Sequence, residues 1–168
     1  MKTIKTSLLA MVLLFTVASC SKEADVEIQD DLNYTIDLNL AKKTDWEMAN
    51  SILTLVNDHR EDMGLNRLQL DQTYASAYAV DHTDYMIATD QINHDNFEER
   101  KAALKSRGAI VVGENVAYGY TSAEAVVSAW LNSSGHRAAI EGSYTHSGFG
   151  IMQSDEGRYY FTQIFYKE

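Results

Sequence analysis

The chain has 168 residues and a formal net charge of -10, from 14 Lys and Arg set against 24 Asp and Glu. That length suits a single domain, and that charge argues against a nucleic-acid binder, since neutralising phosphates needs clustered Lys and Arg. One cysteine, Cys20, excludes an intrachain disulfide.

Taken in order, Met1 to Thr6 carries Lys2 and Lys5, and Ser7 to Val17 is an apolar run too short for a permanent membrane helix. It closes on Val17-Ala18-Ser19-Cys20. A basic start, an apolar middle and small residues at the end form the pattern of a secretory signal. The last four also resemble a bacterial lipobox, in which the cysteine becomes the first mature residue and carries lipid. Residues 1–19 are therefore expected to be a lipoprotein signal peptide and Cys20 the acylation point, each buried methylene contributing about 0.8 kcal/mol to membrane anchoring. Removing the signal takes away two lysines and no acid, so the mature chain is more acidic still. Residues 20–43 read as a flexible acidic tether with few large apolar groups and no proline, although Leu38 and Leu40 could dock onto the domain. Ser21, rather than an aspartate, resembles the residue after the cysteine in lipoproteins sorted to an outer membrane. The expected location is the bacterial cell envelope, lipid-anchored, at an outer membrane or the cell surface.

Residues 44–168 are expected to be the folded domain. Thr44-Asp45-Trp46-Glu47 fits a capping box, and Met48, Ile52, Leu55, Val56, His59 and Met63 follow at helical spacing until Gly64. Leu65 to Leu70 reads as a link. Asp71 is a plausible N-cap for a second helix whose stripe includes Tyr74, Tyr78, His82, Tyr85 and Met86. Asn96-Phe97-Glu98-Glu99 begins a third, with Leu104 inward and Gly108 as its stop. Ala109 to Val112 suits a short buried strand. Thr121-Ser122-Ala123-Glu124 is a second capping box before a helix that carries Val126 and Trp130 and ends at Ser133-Ser134-Gly135. The last third alternates: Ser147, Phe149 and Ile151, then a Ser154-Asp155-Glu156-Gly157 turn, then Tyr159, Phe161, Gln163 and Phe165. This is an antiparallel hairpin, with Gly148 and Gly150 allowing another element to approach closely. Helices first and a hairpin last give an α+β layered domain.

The chemistry gathers in Gly113-Glu114-Asn115-Val116-Ala117 and Trp130-Leu131-Asn132-Ser133-Ser134-Gly135-His136-Arg137, with His94 upstream in Ile92-Asn93-His94-Asp95. Two imidazoles and a carboxylate are a set compatible with zinc and one open position, and a bound metal could polarise water for hydrolysis. No His-Glu-x-x-His pair is present to fix two ligands and a base on one helix. No Gly-x-Ser-x-Gly elbow supports a serine nucleophile, and Ser133 and Ser134 are equally explained by helix termination. A structural reading stands beside the metal one: Glu114 pairing with a histidine or with backbone amides, and Asn115 acting similarly in a turn. His59 and His82 lie on apolar stripes and read as core or boundary groups, Trp130 as core, and His146 as ambiguous.

These motifs, in this order, resemble the CAP superfamily of cysteine-rich secretory proteins, antigen 5 and pathogenesis-related 1 proteins, and most closely its bacterial SCP-like extracellular branch. The resemblance runs from about Met48 to Tyr166, through Val56-Asn57-Asp58-His59-Arg60, Asn93-His94, Gly113 to Ala117, Ser134-Gly135-His136-Arg137, Gly148-Phe149-Gly150 and Tyr160-Phe161-Thr162-Gln163. It implies a three-layer α-β-α sandwich with a cleft lined by His94, Glu114, Asn115, Ser133 and His136. In many members two histidines and two glutamates there hold a divalent metal. His94, Glu114 and His136 match three of those four, and Ser133 stands where the second glutamate usually lies, so a cofactor, if held, would be zinc or another divalent cation on three residues. The bacterial branch commonly has proline where this chain has Ser134. The partners implied are a membrane through lipidated Cys20 and a small apolar ligand or an envelope protein. A cleft that binds a ligand comes first among the readings. A metal-dependent extracytoplasmic hydrolase and a non-catalytic interaction module with a vestigial cleft are the alternatives.

Overall fold

The structure is a computed structural model, and it describes residues 35–168. The expected signal peptide, Cys20 and most of the expected tether lie outside the described residues. Ordered structure starts ahead of Thr44: Leu38–Lys43 form a 3-10 helix capped by the Asp37 carboxylate, with Ala41 buried.

Five α-helices follow, α1 (Trp46–Asp62), α2 (Tyr74–Thr89), α3 (Phe97–Lys105), α4 (Ala123–Asn132) and α5 (Ser134–Ile140). The strands are β1 (Gln69–Leu70), β2 (Val111–Tyr118), β3 (His146–Gln153) and β4 (Tyr159–Lys167), in the sheet order β1-β3-β4-β2. β3 and β4 make the expected hairpin, β2 pairs antiparallel to β4, and β1 runs parallel to β3. Alternation divides the sheet between two cores. Phe149, Ile151, Phe161 and Phe165 pack with α1 and α4, whereas Val112, Ile164 and Tyr166 pack with α2 and α3. Burying both faces of one sheet yields the three-layer α-β-α arrangement. A Cβ on Gly148 would meet the Ala75 backbone and side chain at 2.5 Å, and one on Gly150 the Ala79 backbone at 2.3 Å. These two glycines bring α2 against the sheet.

Several local features differ from the sequence pattern. Asp45, not Thr44, caps α1: its carboxylate accepts from the Met48 amide, while the Thr44 hydroxyl donates to the Phe149 carbonyl. The buried face of α1 is Ala49, Ile52, Val56, Asn57 and Arg60, rotated away from the expected stripe, and Met63 is exposed. Thr73 is the residue before α2, yet Asp71 still serves that end by accepting from the amides of Thr73 and Ala75. Ser122, one residue later than expected, caps α4. Ser133 both ends α4 and precedes α5, a helix that the Ser-Ser-Gly sequence disguises as a loop. β1 falls in the expected link. β2 continues past Val112 to Tyr118, because Val112, Glu114 and Val116 alternate with Gly113, Asn115 and Ala117 along one strand.

Candidate functional site

The extension of β2 decides what Glu114 and Asn115 can do. Neighbours on a strand face opposite ways, so Glu114 points to the α2–α3 side with Val112 and Val116. Asn115 points to the α1–α4–α5 side with Ala117. Glu114 is therefore not a loop residue: the register Glu114↔Ile164 places its carboxylate beneath two helices, with its side chain only 1% exposed.

A buried carboxylate needs donors, and Glu114 has three residues around it. Arg100, on α3, is buried and reaches it in a fork, donating from Nε to Oε2 and from Nη2 to Oε1, each at 2.9 Å. His94 donates from Nδ1 to Oε1 at 2.9 Å. The His82 Nε2, on α2, is 4.0 Å from Oε1 and donates to the Asn93 carbonyl at 2.9 Å. Burial works to raise the Glu114 pKa, but the His94 hydrogen bond and the Arg100 charge outweigh it and hold the carboxyl below its ordinary range. Burial, then the Arg100 charge, push the His82 imidazole the other way from charging, below its ordinary value of 6.5. Arg100 also donates from Nη1 to the Asp95 carbonyl at 2.7 Å. Together His82 and Arg100 tie down the segment between α2 and α3 that carries Ile92 and His94.

Of the expected cleft residues, the structure joins His94 and Glu114 directly. His136 enters from the other layer. Its carbonyl accepts from the buried Asn115 side chain at 3.1 Å, which fastens α5 to β2. Its imidazole is half-buried, and burial, with the nearby His94 charge, lowers its pKa. Among the described residues no serine hydroxyl bonds that imidazole. Ser133 lies beside it as the junction of α4 and α5. A cleft of about 310 Å³ opens there, lined by Ile92, Val116, Tyr118, Tyr120, Trp130 and His136. Trp130 is core as expected, and its indole N–H donates to the Val116 carbonyl at 3.2 Å.

Arg100 is not among the residues that the sequence singles out, and His82 reads there as core. His82 is indeed core, yet it also sits beside Glu114. Arg100 lies in Glu98-Glu99-Arg100-Lys101, which looks like a solvated charged turn. The need of a buried Glu114 for a cation is the one signal that points toward it.

The divalent cation implied by the resemblance meets a carboxylate whose two oxygens are already taken by a buried guanidinium fork and an imidazole N–H. Among the described residues, no group of three or more His, Cys, Asp and Glu is placed to hold a metal ion. His94, Glu114 and His136 in this arrangement do not fit one.

A mixed sheet between two helical layers, with histidines from both layers at one edge, defines an α+β sandwich domain. The profile of the cysteine-rich secretory protein family, CAP, matches residues 53–165, and the chain belongs to that family. It is 37% identical over 133 residues to the uncharacterized membrane protein YlbC of Bacillus subtilis, covering 75% of this chain and 36% of YlbC. It is 33% identical over 108 residues to the uncharacterized protein YkwD of the same organism, covering 61% of this chain and 42% of YkwD. The chain thus spans well under half the length of these relatives. An outer surface protein of Borrelia burgdorferi has the same fold, with a TM-score of 0.65 at 21% identity, covering 73% of this chain and 93% of that one. An extracellular SCP-domain protein of Bacillus anthracis aligns with a TM-score of 0.59 at 25% identity, over 74% of this chain and 44% of that one. These structural relatives are outer surface or extracellular proteins, and among the described residues no helix is long and apolar enough to cross a membrane.

Proposed function

We propose that this CAP domain is a non-enzymatic binding module displayed outside the cytoplasm, lipid-anchored through Cys20, whose cleft takes a small apolar molecule. The observation that carries this reading is the division of labour at β2. The charged groups of the site are consumed in holding Glu114, while the cleft beside His136 is walled by Ile92, Val116, Tyr118, Tyr120 and Trp130. A concave, largely apolar site of a few hundred Å³ with one or two polar groups is the usual form of a small-molecule pocket. The imidazole of His136 and the Ser133 junction supply its polar end. The relatives named as outer surface, extracellular and membrane proteins support the location.

The test is titration with N-phenyl-1-naphthylamine, an apolar fluorophore, against wild type and Ala129→Phe. Ala129 is partly exposed and lines the cleft, so a phenyl group there fills the space without entering the core. Saturable binding at roughly micromolar Kd, or about -8 kcal/mol, is expected in wild type. It is expected to fall at least tenfold in Ala129→Phe with the melting temperature unchanged. Absence of saturable binding, or indifference to Ala129→Phe, sinks the reading.

A further inference from the structure

We propose that the free edge of β2 binds an extended, basic peptide as an added strand, with one large apolar side chain of that peptide lodged in the cleft beside His136. β2 ends the sheet order β1-β3-β4-β2, so β4 alone pairs with it. The Gly119 amide donates to the Tyr159 carbonyl at 2.8 Å, in step with the Ala117↔Phe161 pair. Along an antiparallel ladder, residues alternate between bonding the partner strand and facing away from it. The backbone N–H and C=O groups of Val112, Glu114, Val116 and Tyr118 therefore point away from β4, along the edge. Of these, the Val116 carbonyl accepts from the Trp130 indole N–H at 3.2 Å, and the others meet no partner among the described residues. Glu114 shows the edge open to solvent. The residue is partly exposed although its side chain is only 1% exposed, so what it exposes is backbone. Sheet edges are ordinarily shielded by lysine, proline or a covering element. β2 carries neither lysine nor proline, and the charge of Glu114 is neutralised by Arg100.

The surroundings favour a peptide over a second copy of this chain. The edge runs between His94, bonded to the Glu114 carboxylate from one helical layer, and α5, fastened to Asn115 from the other. The cleft at Val116, Tyr118 and Trp130 begins further along the same strand, with Tyr118 about 13 Å from Glu114 at the usual strand rise. One extended chain reaches both. A second copy would bring its own α5 and 91–96 segment against these. Charge points the same way: at a formal net charge of -10 two copies repel, whereas a basic chain is drawn in, and Asp95 and Glu99 stand exposed beyond His94. Main-chain pairing would supply affinity and the cleft would select a side chain, the division of roles in strand addition. The inference rests on the proposed cleft in one respect, that it admits an apolar group.

The probe is the amidated peptide Lys-Thr-Val-Phe-Val-Thr-Lys with an N-terminal fluorophore, read by anisotropy against the full-length protein. Two isomers carry N-methyl groups on alternate residues, one set along each edge of the peptide. Saturable binding with a Kd below about 100 μM is expected. It is expected to weaken at least tenfold in one isomer and persist in the other, because their side chains are the same and only one edge faces β2. Tyr118→Pro deletes an outward N–H and is expected to bind at least tenfold more weakly than Tyr118→Ala, which deletes only the ring. Should the proline variant not fold, the two isomers decide alone. Absence of saturable binding overturns the proposal, as does equal binding of both isomers. So does a dimer in sedimentation velocity that Tyr118→Pro dissociates, which would seat a second copy on the edge. Naphthylamine binding without peptide binding overturns this inference and leaves the cleft reading standing.

Discussion

Arg60 and Arg100 are both buried, 1% and 3% exposed, yet the fold accommodates them in opposite ways. Arg60, on α1, has no carboxylate among its described partners. Its guanidinium donates to the carbonyls of Asn66 at 2.8 Å, Ile140 at 2.6 Å, Gly142 at 2.9 Å and Tyr144 at 3.3 Å. Burial alone lowers its pKa below the ordinary arginine value. Arg100 instead spends its fork on Glu114. The first arginine satisfies backbone, the second compensates charge. Arg60 stitches α1 to the turn behind α5 and so steadies the helix that presents His136. Arg100 binds α3 to β2 and to the segment presenting His94. A guanidinium can be buried by either route, but only the ionic one makes its stability contribution depend on a partner that can be removed or protonated.

That contrast is most sharply tested by deleting the partner. Glu114→Ala strands the Arg100 charge in the core, and an uncompensated half of a buried pair costs about 3–5 kcal/mol. Urea denaturation measures the loss. Adding Arg100→Met should restore a large part of it, since the penalty belongs to the stranded charge. Losses that merely add would mean that charge compensation is not what holds this corner. Arg60→Met comes next, at about 2–4 kcal/mol, because it removes charge and donors together and leaves the carbonyls to find water. Its signature is local: amide exchange should accelerate in residues 140–144 while α3 and β2 stay protected. A cost exceeding that of Glu114→Ala would reverse the comparison.

How far the sequence foretells this depends on what each residue type advertises. Gly148 and Gly150 on one face of a period-2 run announce the close approach of a helix, and α2 makes it. The order of His94, Glu114 and His136 points to one neighbourhood, and the structure joins the first two directly and sets the third across the sheet edge. Glu114 and Asn115, polar on both faces, hide the strand between Val112 and Tyr118, because they interrupt the apolar alternation by which a strand is recognised. Ser133-Ser134-Gly135 hides α5 because the residues that end one helix also begin another. Arg60 and Arg100 are illegible for a deeper reason. Periodicity assigns a guanidinium to solvent, and only three-dimensional convergence of four carbonyls, or of one buried carboxylate, makes the interior hospitable to it. The lysine beside Arg100 follows the simple rule: Lys101 remains at the surface, paired with Glu98.

The mildest test of the comparison is pH. Three groups around the β2 edge bind protons less readily when folded than when unfolded: Glu114, whose depressed pKa reflects His94 and Arg100 overcoming burial, and His82 and His136, depressed first by burial. In each case the unfolded chain takes up the proton first, so stability is complete above the unfolded pKa and declines as pH falls. The decline should begin near 6.5 for the two histidines and deepen below about 4.5 as Glu114 joins them. His82→Gln keeps a donor within reach of Asn93 and removes a titrating group, so its urea midpoint should vary less between pH 6.5 and 5 than that of wild type. Arg60→Met should leave the pH dependence unchanged while lowering the whole curve, because carbonyl partners do not titrate. If the Arg60 variant altered the acid slope as much as His82→Gln, the two buried guanidiniums would belong to one electrostatic network rather than two separate devices.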